Sequence, residues 1–279
     1  MRFSLVIKSR VWPVHKQLDL LFLLFLSLIL TIGCASSPGT SSGSRSDILT
    51  DSDEPEGRKR ARIRMELAVG YFELGQITVA LDEVKQALNA DPNFADAFNL
   101  RGLVYMRLND QRLAEESFRR ALTLSPRDPN VSHNFGWLLC QQARYAEASQ
   151  LFSQAISNPS YSGRAKTWLT QGLCQMRNGQ RSEAEFSLIK SYELDAGNPL
   201  TGYNLASLLF QQGDFLRSQF YIRRLNNTEL ANAESYWLGI KVERRMDNPE
   251  GMQQLALQLK KRFPQSRELI SYERGAFDE

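Results

Sequence analysis

A repeat of 34 residues constrains the fold of this chain more than any other feature of its sequence. Residues 61–94 and residues 95–128 align without a gap. The matched positions carry similar side chains: Ala68 with Gly102, Tyr71 with Tyr105, Ala80 with Ala114, Val84 with Phe118, Ala87 with Ala121, and Pro92 with Pro126. Self-similarity at such a period is the signature of a stacked repeat architecture.

The pattern resembles the tetratricopeptide repeat (TPR), which has small residues at positions 8, 20 and 27, bulky residues at 11 and 24, and proline at 32. Small residues let two antiparallel helices approach closely, and proline ends the second helix. Later, less regular units are predicted at 129–164, 165–198, 199–232 and 233–263. We therefore expect an all-α fold, a right-handed superhelical solenoid of about six TPR helix pairs over residues 58–264, followed by a C-terminal tail at 265–279.

The first 33 residues are predicted to be a secretory signal peptide. They combine a basic stretch, an apolar run at residues 20–30 and a small residue, Gly33, directly before Cys34. The run is shorter than the roughly 20 residues of a membrane span, although a retained membrane anchor is the alternative. The rest of the chain holds 30 basic and 30 acidic residues, a balance that argues against nucleic acid as a partner.

The residues before Cys34 resemble the lipobox of bacterial lipoproteins, in which a cysteine after a small residue is lipidated and becomes the new N-terminus. Lipoboxes usually have Leu three places before the cysteine, where this chain has Thr31. The resemblance implies a covalent lipid on Cys34 and no other cofactor. By the same resemblance, Ala35 in place of Asp implies an outer-membrane anchor on the periplasmic face; the alternative is an accidental cysteine near a cleavage site. The Ser-, Gly- and Asp-rich residues 34–57 are predicted to be a flexible tether.

Positions 2, 5, 9 and 12 of each first helix share one face, and stacked repeats turn these faces into a groove. The predicted partner-binding residues on this face are Met65, Val69, Phe72, Leu103, Met106 and Trp137. The stripe continues through His133, Leu169, Leu173, Met176, Tyr203 and Phe210. Such a surface predicts a groove for an apolar peptide or amphipathic helix. The alternative is that curvature buries these side chains against one another.

Cys140 and Cys174 fall in the first helices of adjacent repeats. In an oxidising periplasm they are predicted to form a disulfide, and the alternative is two free core thiols. His133 is the only histidine beyond the signal segment, so we expect no metal site. With no phosphate-binding loop or nucleophile elbow, we expect neither an enzyme nor a small-molecule substrate.

The lipobox, tether, six repeats and paired cysteines together resemble the pilotin lipoproteins of type IV pilus assembly (the PilF/PilW family). The resemblance implies that the chain binds subunits of the outer-membrane secretin, accompanies them to the outer membrane and promotes multimer assembly. We expect the contact in repeats 1 and 2. The alternatives are a TPR lipoprotein adaptor for other envelope complexes, such as cell-wall enzymes, and a periplasmic enzyme with an appended repeat array.

Overall fold

The computed structural model of the chain describes residues 54–277. The predicted signal peptide, the lipidation of Cys34 and the tether up to residue 53 lie outside the described residues. Those features therefore stay predictions.

Residues 54–277 form thirteen α-helices and no β-strand. Twelve of them make six consecutive pairs: α1 (Glu56–Glu73) with α2 (Ile77–Ala90), α3 (Ala95–Arg107) with α4 (Gln111–Leu124), α5 (Pro129–Gln141) with α6 (Tyr145–Ile156), α7 (Arg164–Arg177) with α8 (Arg181–Leu194), α9 (Pro199–Gln212) with α10 (Phe215–Asn226), and α11 (Ala233–Arg245) with α12 (Pro249–Arg262). A short helix, α13 (Arg267–Glu273), follows the sixth pair. The predicted all-α array of about six helix pairs is confirmed.

The two helices of a pair approach closely where a small residue faces a bulky one. A Cβ atom on Gly102 would lie 2.5 Å from the ring of Phe118. The same contact recurs in the third repeat, where a Cβ on Gly136 would lie 2.8 Å from the ring of Phe152. Any larger side chain at these glycines would force the helices apart, which explains why small and bulky residues alternate at fixed places in the repeat.

The turn inside each helix pair has the same backbone conformation in all six repeats. One residue per turn has a positive φ, between 51° and 83°. These residues are Gly75, Asn109, Ala143, Gly179, Gly213 and Asp247, and they stand 34 positions apart except between Ala143 and Gly179, where the longer third repeat makes the spacing 36. Because the left-handed region is favourable only for glycine and tolerated by Asn and Asp, Ala143 is the strained member of the series.

Stacking of the pairs gives the array an inner side. Each second helix contacts the first helix of the following repeat. First helices also contact one another directly at the 1–2, 2–3, 3–4 and 5–6 junctions. Because successive first helices contact one another, they lie on the inner, concave side of the stacked array. The surface that the first helices form is called here the first-helix face.

Both ends of the array extend beyond the predicted limits. Helix α1 begins at Glu56, inside the stretch predicted as tether, because its first turn packs on the end of α2: a Cβ on Gly57 would lie 2.8 Å from the carbonyl oxygen of Ala90. At the other end, the predicted tail contains α13. Leu269 is buried in the core of the last repeat, and Phe277 packs against the same cluster. Apolar burial therefore orders residues that carry no repeat pattern.

Candidate functional site

The predicted partner-binding residues lie on the first-helix face of repeats 1 to 3. Val69 is 38% exposed, whereas Met65, Phe72, Leu103, Met106 and Trp137 are half-buried against the clusters beneath them. The sequence left two alternatives for these residues, an exposed apolar groove or side chains buried against one another. The structure lies between the two. Each side chain is held in place by the core while part of it stays accessible. Anchored, partly exposed apolar groups of this kind suit contact with the apolar face of a helix.

Arginine side chains flank the aromatic rings of this surface. The guanidinium carbon of Arg107 lies 5.9 Å from the ring centre of Phe72, and that of Arg177 lies 4.8 Å from the ring centre of Trp137. Both distances permit cation–π attraction. Because each pair joins different repeats, neither contact could be read from the sequence of one repeat.

Two members of the stripe do not reach the surface. His133 and Leu169 are each only 6% exposed. The Nδ1 atom of His133 forms a hydrogen bond with Oγ1 of Thr167 at 2.9 Å, which links repeats 3 and 4. Burial, reinforced by the positive charge of Lys166, lowers the pKa of His133 to about 4. Since a neutral imidazole is the stable form there, His133 is a structural residue of the junction rather than a groove residue.

A disulfide joins Cys140 of α5 to Cys174 of α7, with their Cα atoms 5.9 Å apart. Both cysteines are almost fully buried. They lie beneath the first-helix face and fix the two adjacent first helices to each other.

The first-helix face changes character in repeats 5 and 6. Tyr203 and Phe210 from α9 and Trp237 from α11 present aromatic rings, and the same turns of α11 carry Lys241 and Arg244. Trp237 and Lys241 were not among the predicted site residues. Extending the 34-residue frame puts them at positions 5 and 9 of repeat 6, and that was the signal available to find them.

Within residues 54–277, no group of three or more His, Cys, Asp or Glu side chains is placed to hold a metal ion. No helix of that range has the length and apolar character needed to cross a membrane.

A family profile described as tetratricopeptide repeat matches residues 65–129. Together with the six helix pairs, this match defines the described part of the chain as a tetratricopeptide-repeat solenoid.

The chain is similar to the type IV pilus assembly protein PilF of Pseudomonas aeruginosa, with 28% identity over 252 residues that cover 90% of this chain and 96% of PilF. A solved structure of Pseudomonas aeruginosa PilF superposes with a TM-score of 0.69 at 28% identity, covering 79% of this chain and 100% of that one. The crystal structure of PilW, described as a widely conserved type IV pilus biogenesis factor, gives a TM-score of 0.68 at 28% identity, covering 76% and 97%.

Proposed function

We propose that this chain is an outer-membrane lipoprotein of the pilotin type, which binds subunits of the type IV pilus secretin and promotes their outer-membrane localisation and multimer assembly. It works as a binding scaffold and performs no chemical step. The observation that carries the proposal is the similarity to PilF. Because this similarity covers 90% of this chain and 96% of PilF, it extends over the whole array and not over a single repeat.

The membrane attachment in this proposal is a lipid on Cys34. The residues around Cys34 support it, since Gly33 precedes the cysteine and an apolar run precedes both. A single acyl chain holds a protein to a membrane only marginally, whereas two or more give stable attachment, at about 0.8 kcal/mol for each buried CH₂. In this proposal the lipid localises the protein to the outer membrane, and the repeats bind the secretin.

The binding surface in this proposal is the first-helix face of repeats 1 to 3. Its half-buried apolar residues are pre-positioned by the core, so binding orders few additional side chains. Met65 and Met106 have flexible thioethers that adapt to the shape of a partner. The rings of Phe72 and Trp137, each beside a guanidinium, are suited to act as anchors. An amphipathic segment of a secretin subunit would cover this surface with its apolar side.

A pair of valine substitutions tests the surface. Val69 and Val79 are each 38% exposed, but Val69 lies on the first-helix face and Val79 lies in α2. Full-length protein carrying Val69→Asp should recover at least tenfold less secretin from solubilised envelopes than wild type, because a carboxylate in an apolar contact loses its hydration. Val79→Asp should recover as much as wild type. If both variants recovered the same amount of secretin, the first-helix face would not be the binding surface. If wild type recovered cell-wall enzymes and no secretin, the pilotin function would be refuted and the adaptor function would be favoured.

A second experiment tests the anchor. Cells that express the full-length chain are labelled with radioactive palmitate, and the Cys34→Ser variant is compared with wild type. The label should enter wild type only, and secretin multimers should fall in the variant. Equal labelling of both chains would refute lipidation at Cys34.

A further inference from the structure

The first-helix face of repeats 5 and 6 contains a cavity of about 310 Å³. Tyr203 and Phe210 from α9 and Trp237 from α11 form its aromatic walls, and Lys241 and Glu234 provide charged groups. The volume lies at the lower end of the range for ligand pockets, which suits one large side chain and a neighbouring polar group.

The cavity has a cation without a counter-ion. Lys241 is half-buried, and its ammonium group lies 5.5 Å from the ring centre of Trp237 and 5.9 Å from that of Phe210. Burial lowers the pKa of this ammonium group. Among residues 54–277, no carboxylate lies within ion-pair distance of it. A partly desolvated charge between aromatic rings is stabilised when a carboxylate completes the pair.

Two carboxylates near the cavity, those of Glu234 and Glu268, act on Tyr203, whose pKa is raised by burial and further by these two charges. Neither serves as the counter-ion of Lys241, whose pKa is shifted by burial alone. Glu234 lines the cavity, but it stands seven residues before Lys241, about 10 Å along the helix. Glu243 is buried and accepts hydrogen bonds from Arg223, Gln219 and Asn248. A carboxylate that a partner places beside Lys241 would therefore form an ion pair that the described residues do not make.

The same surface already holds an aromatic side chain of this protein. The ring of Phe277 stacks on Trp237, with centres 5.3 Å apart and planes 27° apart. The guanidinium carbon of Arg244 lies 3.9 Å from the centre of the Phe277 ring. In the sequence, Asp278 and Glu279 follow directly. An aromatic ring beside a cation is thus a group that this surface accepts from its own chain.

We propose that this cavity is a second docking site, and that its occupant is a partner peptide in which an aromatic residue is followed by acidic residues. The ring enters between Tyr203, Phe210 and Trp237, and a carboxylate pairs with Lys241. Apolar burial and ring contacts supply the affinity, and the ion pair selects for acidic sequences. The cavity lies outside repeats 1 to 3, so a secretin segment bound to those repeats would not cover it.

Fluorescence anisotropy with the full-length protein in detergent tests the site. The probe is a labelled peptide of sequence Gly-Ala-Phe-Asp-Glu. Two matched peptides remove one feature each: Gly-Ala-Phe-Asn-Gln lacks the charges, and Gly-Ala-Ala-Asp-Glu lacks the ring. The probe should bind at least tenfold more tightly than either control peptide. Equal binding of the acidic and the amide peptides would overturn the proposal, and so would tighter binding of Gly-Ala-Phe-Lys-Lys, which would assign the site to cations near Glu234.

Two substitutions locate the binding. Lys241→Gln should reduce the preference for the acidic over the amide peptide from tenfold to less than twofold. Lys261→Gln removes the same charge from the exposed side of α12 and should retain the preference. Thermal melts confirm that both variants are folded. A preference that survives Lys241→Gln unchanged would place the peptide elsewhere and overturn the proposal.

Discussion

The junction between repeats 3 and 4 and the junction between repeats 5 and 6 are equivalent in the array, but different chemistry holds each together. At the first, a disulfide joins Cys140 to Cys174, and a buried hydrogen bond joins His133 to Thr167. At the second, the buried carboxylate of Glu243 accepts hydrogen bonds from α10 and from the loop before α12. The packing of the two helices within a repeat depends on the recurring small and bulky residues. The residues that form contacts across a junction can therefore differ from one junction to the next.

The first-helix faces differ in the same way. Repeats 1 to 3 present half-buried aliphatic, methionine and aromatic side chains. Repeats 5 and 6 present aromatic rings beside Lys241 and Arg244. One scaffold therefore carries two surfaces of different chemistry, the first mainly apolar and the second aromatic and cationic.

The largest expected effect follows from removing the covalent link. The double variant Cys140→Ser, Cys174→Ser should lose about 3–4 kcal/mol of unfolding free energy, because the closed loop constrains the unfolded chain. Urea denaturation measures the loss. Dithiothreitol should destabilise wild type to the same extent and leave the variant unchanged. If reduced wild type kept its full stability, the disulfide would not be what stabilises the junction between repeats 3 and 4.

The polar junction is expected to be somewhat less costly to break. Glu243→Gln should lower the unfolding free energy by about 2 kcal/mol, because an amide replaces one charged acceptor with a donor that faces the donors of Arg223 and Gln219. Glu66→Gln, at an exposed site of α1, should change stability by less than about 0.5 kcal/mol. Equal urea midpoints for the two variants would show that the buried carboxylate does not stabilise the second junction.

These contrasts also mark what could be predicted from the sequence. The close approach of the paired helices at Gly102 was predicted from the repeat, because small residues recur at fixed positions, whereas the contact of Gly102 with Phe118 became visible only in the structure. The recurring turn conformation did not, since Gly, Asn, Ala and Asp share a backbone angle there but no residue type. The burial of His133 depends on Thr167, which another repeat supplies. Contacts between repeats depend on the depth and angle of stacking, which the spacing of residues does not determine.

The stability of the junction between repeats 3 and 4 is expected to depend on pH through His133. The pKa of His133 falls from 6.5 in the unfolded chain to about 4 in the folded protein, so the unfolded state binds the proton more readily. Stability from this group is complete above pH 6.5 and decreases as the pH falls toward 4, by about 2 kcal/mol between pH 7 and pH 5.

His133→Gln should remove this part of the pH dependence, as measured by urea denaturation at both pH values. Hydrogen exchange should show the loss in α5 and α7 and not in α11. An unchanged pH profile in the variant would contradict the assignment.

The smallest expected effect concerns the turn of repeat 3. Ala143 has φ 59°, whereas Gly179 occupies the equivalent position of repeat 4 with φ 74°. Ala143→Gly should raise the unfolding free energy by about 0.5–1 kcal/mol, because glycine relieves the left-handed strain. The reverse change, Gly179→Ala, should lower it by a similar amount. A loss of stability in Ala143→Gly would show that the added freedom of the unfolded chain outweighs the relief.

The disulfide also determines how this protein responds to a pulling force. A repeat array under tension unravels, and each released residue adds about 3.3–3.6 Å to its length. The bond spans 34 residues of sequence, so it shortens the fully stretched chain by roughly 115 Å. Tension entering at Cys140 passes through the sulfur atoms to Cys174. Helix α6 lies entirely inside this loop and bears no load, even when the repeats on both sides have been pulled open.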